Sequence, residues 1–428
     1  MNCKNIIKSS KYNLLYYAAY KILLDILYIY CVSPTYSYMG LTLDINFVKI
    51  IASNFFLLLI SLFISKSNQK VSHMIIQLHF IIMIIPILSL YPLANLSTRF
   101  MLMIIICFLL QIALIKLLPQ VKIKKIKHGK YILYPLIGIL SLVTFTYLLI
   151  TQPINIKALS FSDIYSIRAE QSINHNIMKY LIVWQYRIIN PFIIVICYLK
   201  KRYVRMVAII FLQLILYLMY PHKEVVLAIG LLLIVLFALE RKFNFNKIFI
   251  LVFSLLNLLG AALYSLIDYL MLFAIFPVRM LNLPAKIKFE HYDFFSVNDK
   301  LFYSEGMIGK LLGLDYPYSV ASGVLINPRG GNSNTGYIAY AYDNSGFIGM
   351  ILMSIVFVIV IKIIDSISVG ENKGIIFSLF VYPMIILNDG DLLTMLLTGG
   401  VLLLIFIIFL YKNIDGREEK VDEKENNS

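Results

Sequence analysis

Long apolar runs separated by short polar segments dominate the chain. Most of these runs are close to the roughly 20 residues that a helix needs to cross the apolar part of a bilayer. Twelve such spans are predicted, at residues 12–32, 46–65, 71–92, 99–118, 131–150, 180–199, 205–220, 224–239, 247–276, 346–364, 374–388 and 391–410. We therefore predict an all-α polytopic membrane protein with about 12 transmembrane helices, in which residues 1–428 form a single integral membrane domain.

The composition supports this prediction. Of the 428 residues, 60% are hydrophobic and 14% are charged, and the mean hydropathy is +0.82, which is outside the range of soluble domains. The first span has no small-residue cleavage site and carries Lys21 and Asp25 within it, so we interpret it as a retained helix rather than a signal peptide. These two residues lie four apart on one helix face and are expected to neutralise each other.

Basic residues predict the orientation of the spans. With the N-terminus inside, most of the 38 Lys and Arg residues fall in cytoplasmic segments, including KIKKIKHGK and KKRYVR. Both termini are then cytoplasmic, and residues 411–428 form a charged cytoplasmic tail. The net charge of +15 is explained by this asymmetry and by attraction to anionic membrane lipids, so we predict no nucleic-acid partner.

This topology leaves two long outer loops, at 151–179 and 277–345. Of the four cysteines, Cys3 lies before the first span and the other three lie within spans, and none is in a CxxC spacing. Disulfides and structural zinc are therefore improbable. Patterns for binding nucleotides, such as GxxxxGK[ST] and GxGxxG, do not occur. Chemistry at the outer face must then come from polar residues in these loops and in the short outer turns.

The first loop and a tight turn each offer a cation. Arg168 lies in the first loop, where it could bind an anion or instead pair with Asp163 or Glu170 on a surface helix. Lys223 opens the span that follows the turn 220–224, where it could meet a lipid-linked phosphate or only extend towards the membrane surface.

The second loop begins with Arg279, just beyond the ninth span. It then holds the acid–histidine–acid cluster Glu290, His291 and Asp293, in which a carboxylate could orient His291 as a general base. The alternative is an ordinary solvated loop.

The stretch 327–349, NPRGGNSNTGYIAYAYDNSGFIG, concentrates polar residues directly before an apolar span. Its glycine pair allows close approach of the backbone to a ligand, and Arg329 could hold two phosphate oxygens as a fork. Tyr337 and Tyr340 offer rings for contact with a sugar. This combination suits a diphosphate that carries a sugar.

The same stretch, with the many apolar spans and the large outer loop late in the chain, resembles the Wzy-type O-antigen and capsular polysaccharide polymerases. The resemblance implies an inverting glycosyltransferase of the cytoplasmic membrane that uses neither a nucleotide sugar, a metal nor another cofactor. Both donor and acceptor would be undecaprenyl-diphosphate-linked glycans at the outer face, and a flippase and a chain-length regulator would be partner proteins.

By this resemblance, Lys223 and Arg329 are predicted to contact the diphosphate. Arg168 and Arg279 are added to this set because they lie in the two outer loops. Asp343, His291 and Asp315 are candidates for the base. Asp343 comes first because it lies within the family-like stretch, although it could equally cap the following helix.

Two departures from related enzymes stand out. The related O-antigen ligases have a histidine near the start of the corresponding segment, where this chain has Asn334 and Thr335, which favours a polymerase over a ligase. Some polymerases have an Arg followed eleven residues later by Gly, but Tyr340 follows Arg329 at that distance.

A flippase or other transporter is the main alternative. It would use charged residues inside the bundle, and Asp268 is the one such candidate without an obvious partner. A polyprenyl-phosphate-sugar glycosyltransferase usually has an acidic pair in its first outer loop, where this chain holds only Asp44. The scarcity of intramembrane charge and the long second loop favour surface chemistry.

The orientation is testable with reporter fusions. Because of the basic-residue asymmetry, fusions after Thr151 and Asn298 should report the outer compartment, and fusions after Lys127 and Arg241 the inner one. An inner signal at Asn298 would contradict an active site at the outer face.

Overall fold

Helices form almost the whole of the described chain. The computed structural model describes residues 3–65, 67–121, 123, 128–159, 167–168, 173, 175–327 and 333–412, and no strand occurs among them. The helices are α1 (3–39), α2 (Phe47–Phe63), α3 (Val71–Leu93), α4 (Thr98–Leu117), α5 (Gly129–Thr151), α6 (Asn176–Leu199), α7 (Tyr203–Met219), α8 (Lys223–Glu240), α9 (Phe245–Ile267), α10 (Leu270–Val297), α11 (Met307–Leu312), α12 (Ser322–Ile326), α13 (Gly336–Ile367), α14 (Lys373–Ile386), α15 (Leu392–Leu396) and α16 (Val401–Lys412).

Polar side chains fix where several of these helices begin. The side chain of Asn46 accepts a hydrogen bond from the backbone N–H of Lys49 at the start of α2, at 3.2 Å. Ser97 accepts from the N–H of Phe100 at the start of α4, and Asn244 caps α9 in the same way. Each cap satisfies an amide that the first helical turn leaves unpaired, which contributes about 1 kcal/mol.

In four helices of the described chain, a π-helical stretch is followed within two residues by a proline. The stretches are Tyr28–Val32, Phe80–Ile84, Gln185–Ile189 and Ala274–Asn282, and the prolines are Pro34, Pro86, Pro191 and Pro284. Proline has no N–H and crowds the carbonyl one turn earlier, so the wider turn lets the helix continue through it. The stretches in α6 and α10 carry Arg187 and Arg279.

The described residues divide into two compact units. Unit 1 takes those of Met1–Pro119, Phe243–Lys362 and Met384–Leu392, and unit 2 takes those of Gln120–Lys242, Ile363–Pro383 and Leu393–Ser428. The centre of unit 1 is α3, whose most apolar stretch is completely buried. This helix contacts α1, α2, α9 and α10. In unit 2, α7 packs against α6 and α8, and α5 packs against α6 and α16.

Every predicted apolar span coincides with helix. Nine helical segments of the described chain are long and apolar enough to cross a membrane, and α2, α7 and α14 are shorter apolar helices. The chain is therefore a polytopic α-helical membrane protein. In place of the first predicted loop, 151–179, α5 ends at Thr151 and α6 already begins at Asn176, and most residues of 160–174 lie outside the described ones. Of the predicted tail 411–428, residues 413–428 lie outside the described residues.

The second predicted loop, 277–345, differs in the structure. The predicted ninth span divides at Asp268, an exposed residue with φ 55° that ends α9. A new helix, α10, then continues to Val297, and α13 already begins at Gly336. The charges that predicted a loop are compatible with this helix because they are paired along it, as Lys286 is with Glu290.

The expected pairing of Lys21 with Asp25 is confirmed. Lys21 Nζ lies 2.8 Å from Asp25 Oδ2 in α1, and Ser89 of α3 donates to the other carboxylate oxygen. The side chain of Lys21 is only 2% exposed. The pair therefore joins α1 to α3 without leaving a buried ammonium uncompensated.

Removing one partner of this pair should destabilise the protein more than removing both. Asp25→Leu leaves the ammonium of Lys21 buried and unpaired, which costs about 3–5 kcal/mol. The double variant Lys21→Met/Asp25→Leu should recover most of that loss. Thermal unfolding in detergent measures both, and a double variant no more stable than Asp25→Leu would contradict the pairing.

Candidate functional site

Two of the predicted site residues meet in the interior of unit 1. Nδ1 of His291, on α10, lies 2.7 Å from Oδ2 of Asp343, on α13. Each side chain is 1% exposed. We call this pair the dyad. Asp343 therefore does not cap the following helix, which was the alternative for this residue.

The dyad leaves one nitrogen free to act. A carboxylate accepts, so Nδ1–H of His291 donates to Asp343 and the lone pair remains on Nε2. Among the described residues, neither Nε2 of His291 nor Oδ1 of Asp343 has a hydrogen-bond partner. The ring packs beside Phe295, with centroids 6.1 Å apart. This arrangement is that of a base whose orientation and tautomer are set by a carboxylate.

A break in α13 positions Asp343. Ser345 and Gly346 leave the helical conformation, and Gly346 has φ 62° and ψ −150°, a region that is essentially restricted to glycine. The break frees the carbonyl of Asp343, which accepts from the N–H of Leu301 at 2.9 Å. The side chain of Asn344 accepts from the N–H of Tyr303 at 2.6 Å. The segment after α10 is thereby attached to the residues that carry the dyad.

This attachment brings Lys300 to the dyad. Its Nζ lies 3.6 Å from the centroid of the Tyr342 ring and donates to the carbonyl of Phe295 at 2.7 Å. Burial lowers the pKa of Lys300 to about 8, and attraction to Asp343 opposes that shift. Lys300 was not among the predicted site residues. No local pattern marks it, because its place depends on pairing between positions far apart in the chain.

Other predicted residues of unit 1 do not join the dyad. Glu290 pairs with Lys286, and Asp315 is exposed. Arg279 is exposed on the π-helical stretch of α10, twelve residues before His291 and so roughly 18 Å away along the helix.

The two tyrosines predicted to contact a sugar lie in different surroundings. Tyr337 is fully buried, its hydroxyl bonds to Gln111 at 3.0 Å and its ring stacks on Phe357. It packs in the helix bundle in this structure, so a sugar would reach its ring, like the dyad, only after neighbouring side chains move. Tyr340 is partly buried, with its ring 6.2 Å from that of Tyr303. Arg329 lies outside the described residues.

Unit 2 holds a second polar group. Glu224, at the start of α8, accepts from Arg187 and from the hydroxyl of Tyr186, both at 2.6 Å. The π-helical stretch Gln185–Ile189 presents Arg187 towards α8. Nε of Arg187 is buried and has no hydrogen-bond partner among the described residues.

Arg168 reaches the same place. It is exposed, but its neighbour Ile167 is buried in an apolar cluster with Tyr217 and Val225. Burial and the charge of Arg168 together lower the pKa of His222 to about 4, although Glu224 opposes the shift, so this imidazole is neutral near pH 7. Arg168 and Arg187 lie near Glu224, the carboxylate of this group among the described residues, and Lys223 precedes Glu224 in the chain; we call these four residues the cationic cluster. An excess of positive charge with guanidinium forks suits a phosphate or diphosphate.

Within the part of the chain that the structure describes, no three His, Cys, Asp or Glu side chains are grouped to hold a metal ion. Comparisons with known protein families, with characterised proteins and with solved structures found no match. The dyad places an unpartnered imidazole nitrogen in unit 1, and the cationic cluster places guanidinium groups beside one carboxylate in unit 2.

The backbone break can be tested with one methyl group. A Cβ on Gly346 would approach nothing closer than 3.9 Å, so Gly346→Ala adds backbone strain and no clash, costing about 1–3 kcal/mol. Gly138→Ala is a matched control, because this helical glycine has open space and no positive φ. Thermal unfolding in detergent should show a loss only for Gly346→Ala, and equal stabilities would contradict the strained break.

Proposed function

We propose that the chain is a glycosyltransferase that polymerises undecaprenyl-diphosphate-linked oligosaccharide repeat units, at the outer face of the cytoplasmic membrane. The observation that carries the proposal is the dyad, which offers a carboxylate-oriented imidazole to an acceptor hydroxyl. The resemblance of residues 327–349 to Wzy-type polymerases supports the choice of substrate and product, an O-antigen or capsular polysaccharide.

The proposed reaction needs one proton acceptor and one good leaving group. Nε2 of His291 takes the proton of the acceptor hydroxyl, and the resulting oxygen attacks the anomeric carbon of the donor glycan. The bond from that carbon to the diphosphate oxygen breaks, which inverts the configuration and releases undecaprenyl diphosphate. The carboxylate of Asp343 stabilises the imidazolium that forms, so Asp343 acts as a positioning residue.

In this proposal, the positive charges of the protein neutralise the phosphates of its substrates. During polymerisation the protein binds two lipid diphosphates, one on the donor and one on the acceptor. The cationic cluster is a candidate for binding one of them, because Arg187 and Arg168 offer guanidinium forks beside Lys223. Lys300, half-buried beside Asp343, is a candidate for stabilising negative charge near the dyad.

Burial of the dyad sets a condition on the mechanism. His291 is 0% exposed, so an acceptor hydroxyl reaches Nε2 only after some of the surrounding side chains move. Excluding bulk water in this way also prevents hydrolysis of the donor, because water would otherwise compete with the acceptor. We therefore expect substrate binding to loosen the packing around Phe295.

A reconstituted assay tests the function. Purified protein given only undecaprenyl-diphosphate-linked repeat units, without nucleotide, should extend them into a ladder and release undecaprenyl diphosphate. Transfer of glycan only to a lipid A-type acceptor, with no ladder, would instead identify a ligase. Lipid translocation in vesicles without any longer product would identify a transporter.

The role of the dyad is testable in the same assay. His291→Asn should reduce the polymerisation rate about 10²- to 10⁴-fold, because general base catalysis contributes that much. Asp343→Asn should lose nearly as much, because an amide can donate to Nδ1 and so move the ring proton to Nε2. His79→Asn is the control, since His79 is also buried in unit 1 and bonds to the carbonyl of Met384. Full activity of folded His291→Asn would rule out this base.

The charge of Lys300 predicts a pH dependence. With a pKa of about 8, the side chain of Lys300 carries a positive charge below that pH and loses its proton above it. The rate should therefore fall as the pH rises through 8. Lys300→Arg keeps the charge and should extend activity to higher pH, whereas Lys300→Gln should be slow throughout. The same alkaline fall in Lys300→Arg would show that Lys300 is not responsible.

A further inference from the structure

Unit 2 contains an apolar groove that neither the dyad nor the cationic cluster uses. It lies between α6, α14 and α16 and has a volume of about 100 Å³. Its walls are formed mainly by aliphatic side chains, among them Ile196, Leu199, Ile375, Leu379 and Ile408. The groove is open, so a slender apolar chain can enter it from the side.

A basic turn stands at one end of the groove. Leu199, which lines the groove, is followed directly by Lys200, Lys201 and Arg202, all of them exposed. The turn is fixed against the last turn of α6, because the N–H of Lys200 donates to the carbonyl of Ile196 at 3.0 Å. Lys201 has φ 53°, which ends the helix there. We call these three residues the basic turn.

The one carboxylate at the groove is already compensated. Glu371 lines the groove, and Lys373 both attracts its charge and donates to its backbone carbonyl at 3.1 Å. The positive charge of the basic turn therefore remains in excess at this end. Charge complementarity favours an anionic group beside an apolar one.

We propose that this groove binds one acyl chain of an anionic phospholipid, whose phosphate is held by the basic turn. Each Lys or Arg near a membrane surface strengthens attraction to anionic lipid roughly fivefold. A volume of about 100 Å³ is too small for a helix, which is about 10–12 Å in diameter with its side chains. The basic turn also lies in a segment predicted to face the cytoplasm, where anionic lipid attracts basic residues.

Native mass spectrometry of the full-length protein in detergent tests this site. The probes are phosphatidylglycerol and phosphatidylcholine with the same acyl chains. The wild type should retain phosphatidylglycerol more strongly. Lys201→Gln/Arg202→Gln should weaken its binding about 25-fold, since two charges are removed. Leu199→Trp, at an exposed position on the groove, should weaken it at least about fivefold while leaving the basic turn in place.

A matched control exists at the end of α8. Arg241 and Lys242 are exposed and form the same kind of turn, with φ 54° at Lys242. They do not line the groove, so Arg241→Gln/Lys242→Gln should bind phosphatidylglycerol within about twofold of the wild type. Equal losses in the two double variants would show only general attraction to surface charge and would overturn the site. Wild-type binding by Leu199→Trp, or no preference between the two lipids, would overturn it as well.

Discussion

A helix inside an apolar bundle cannot change course without leaving backbone groups unpaired, and the break at Ser345 and Gly346 is where this chain does so. The segment after α10 pairs with the freed carbonyl of Asp343 and with the side chain of Asn344. That pairing fixes Asp343 opposite His291 and carries Lys300 to their side. The dyad, its neighbouring cation and the attached segment thus all depend on one glycine in a conformation that other residues avoid.

Charge in the interior follows a related constraint. An uncompensated charge in an apolar surrounding is costly, and three buried cations of the described chain each have an acceptor or an opposite charge. Lys21 has Asp25, Arg187 has Glu224, and the fully buried Lys288 donates to the carbonyls of Pro284 and Asn388. A transporter that moves protons or ions would be expected to use an ionisable group without a fixed partner inside its bundle. Asp268, the candidate for that role, lies instead at the exposed end of α9.

The helices were predictable because an apolar run of about 20 residues has few other stable forms, and every predicted span is helical. The extent of α10 was not predictable, since its charged residues indicate a loop until their partners are known. The same limit applies to the dyad. His291 was predicted as a base from its neighbouring carboxylates and Asp343 from its place in the family-like stretch, but they are 52 residues apart and only the packing of α10 against α13 pairs them.

The burial of the aromatic residues in this stretch was not predictable from the sequence. Tyr337 and Tyr340 lie three apart in the same polar stretch, and only burial separates the core residue from one that is partly accessible. Arg187 falls within the predicted span 180–199, and beyond the following proline no sequence signature shows that a π-helical stretch turns its side chain towards Glu224. Such residues need the structure to be recognised.

In the dyad, Asp343 holds the proton on Nδ1 of His291 and leaves the lone pair on Nε2. Nitrogen-15 NMR of the histidine-labelled protein tests this most directly, with His291→Asn identifying the signal among the six histidines. The account predicts a hydrogen-bonded proton on Nδ1 and an unprotonated Nε2 at neutral pH, with that state lost in Asp343→Asn. A proton on Nε2 in the wild type, with Nδ1 accepting from a protonated Asp343, would contradict it.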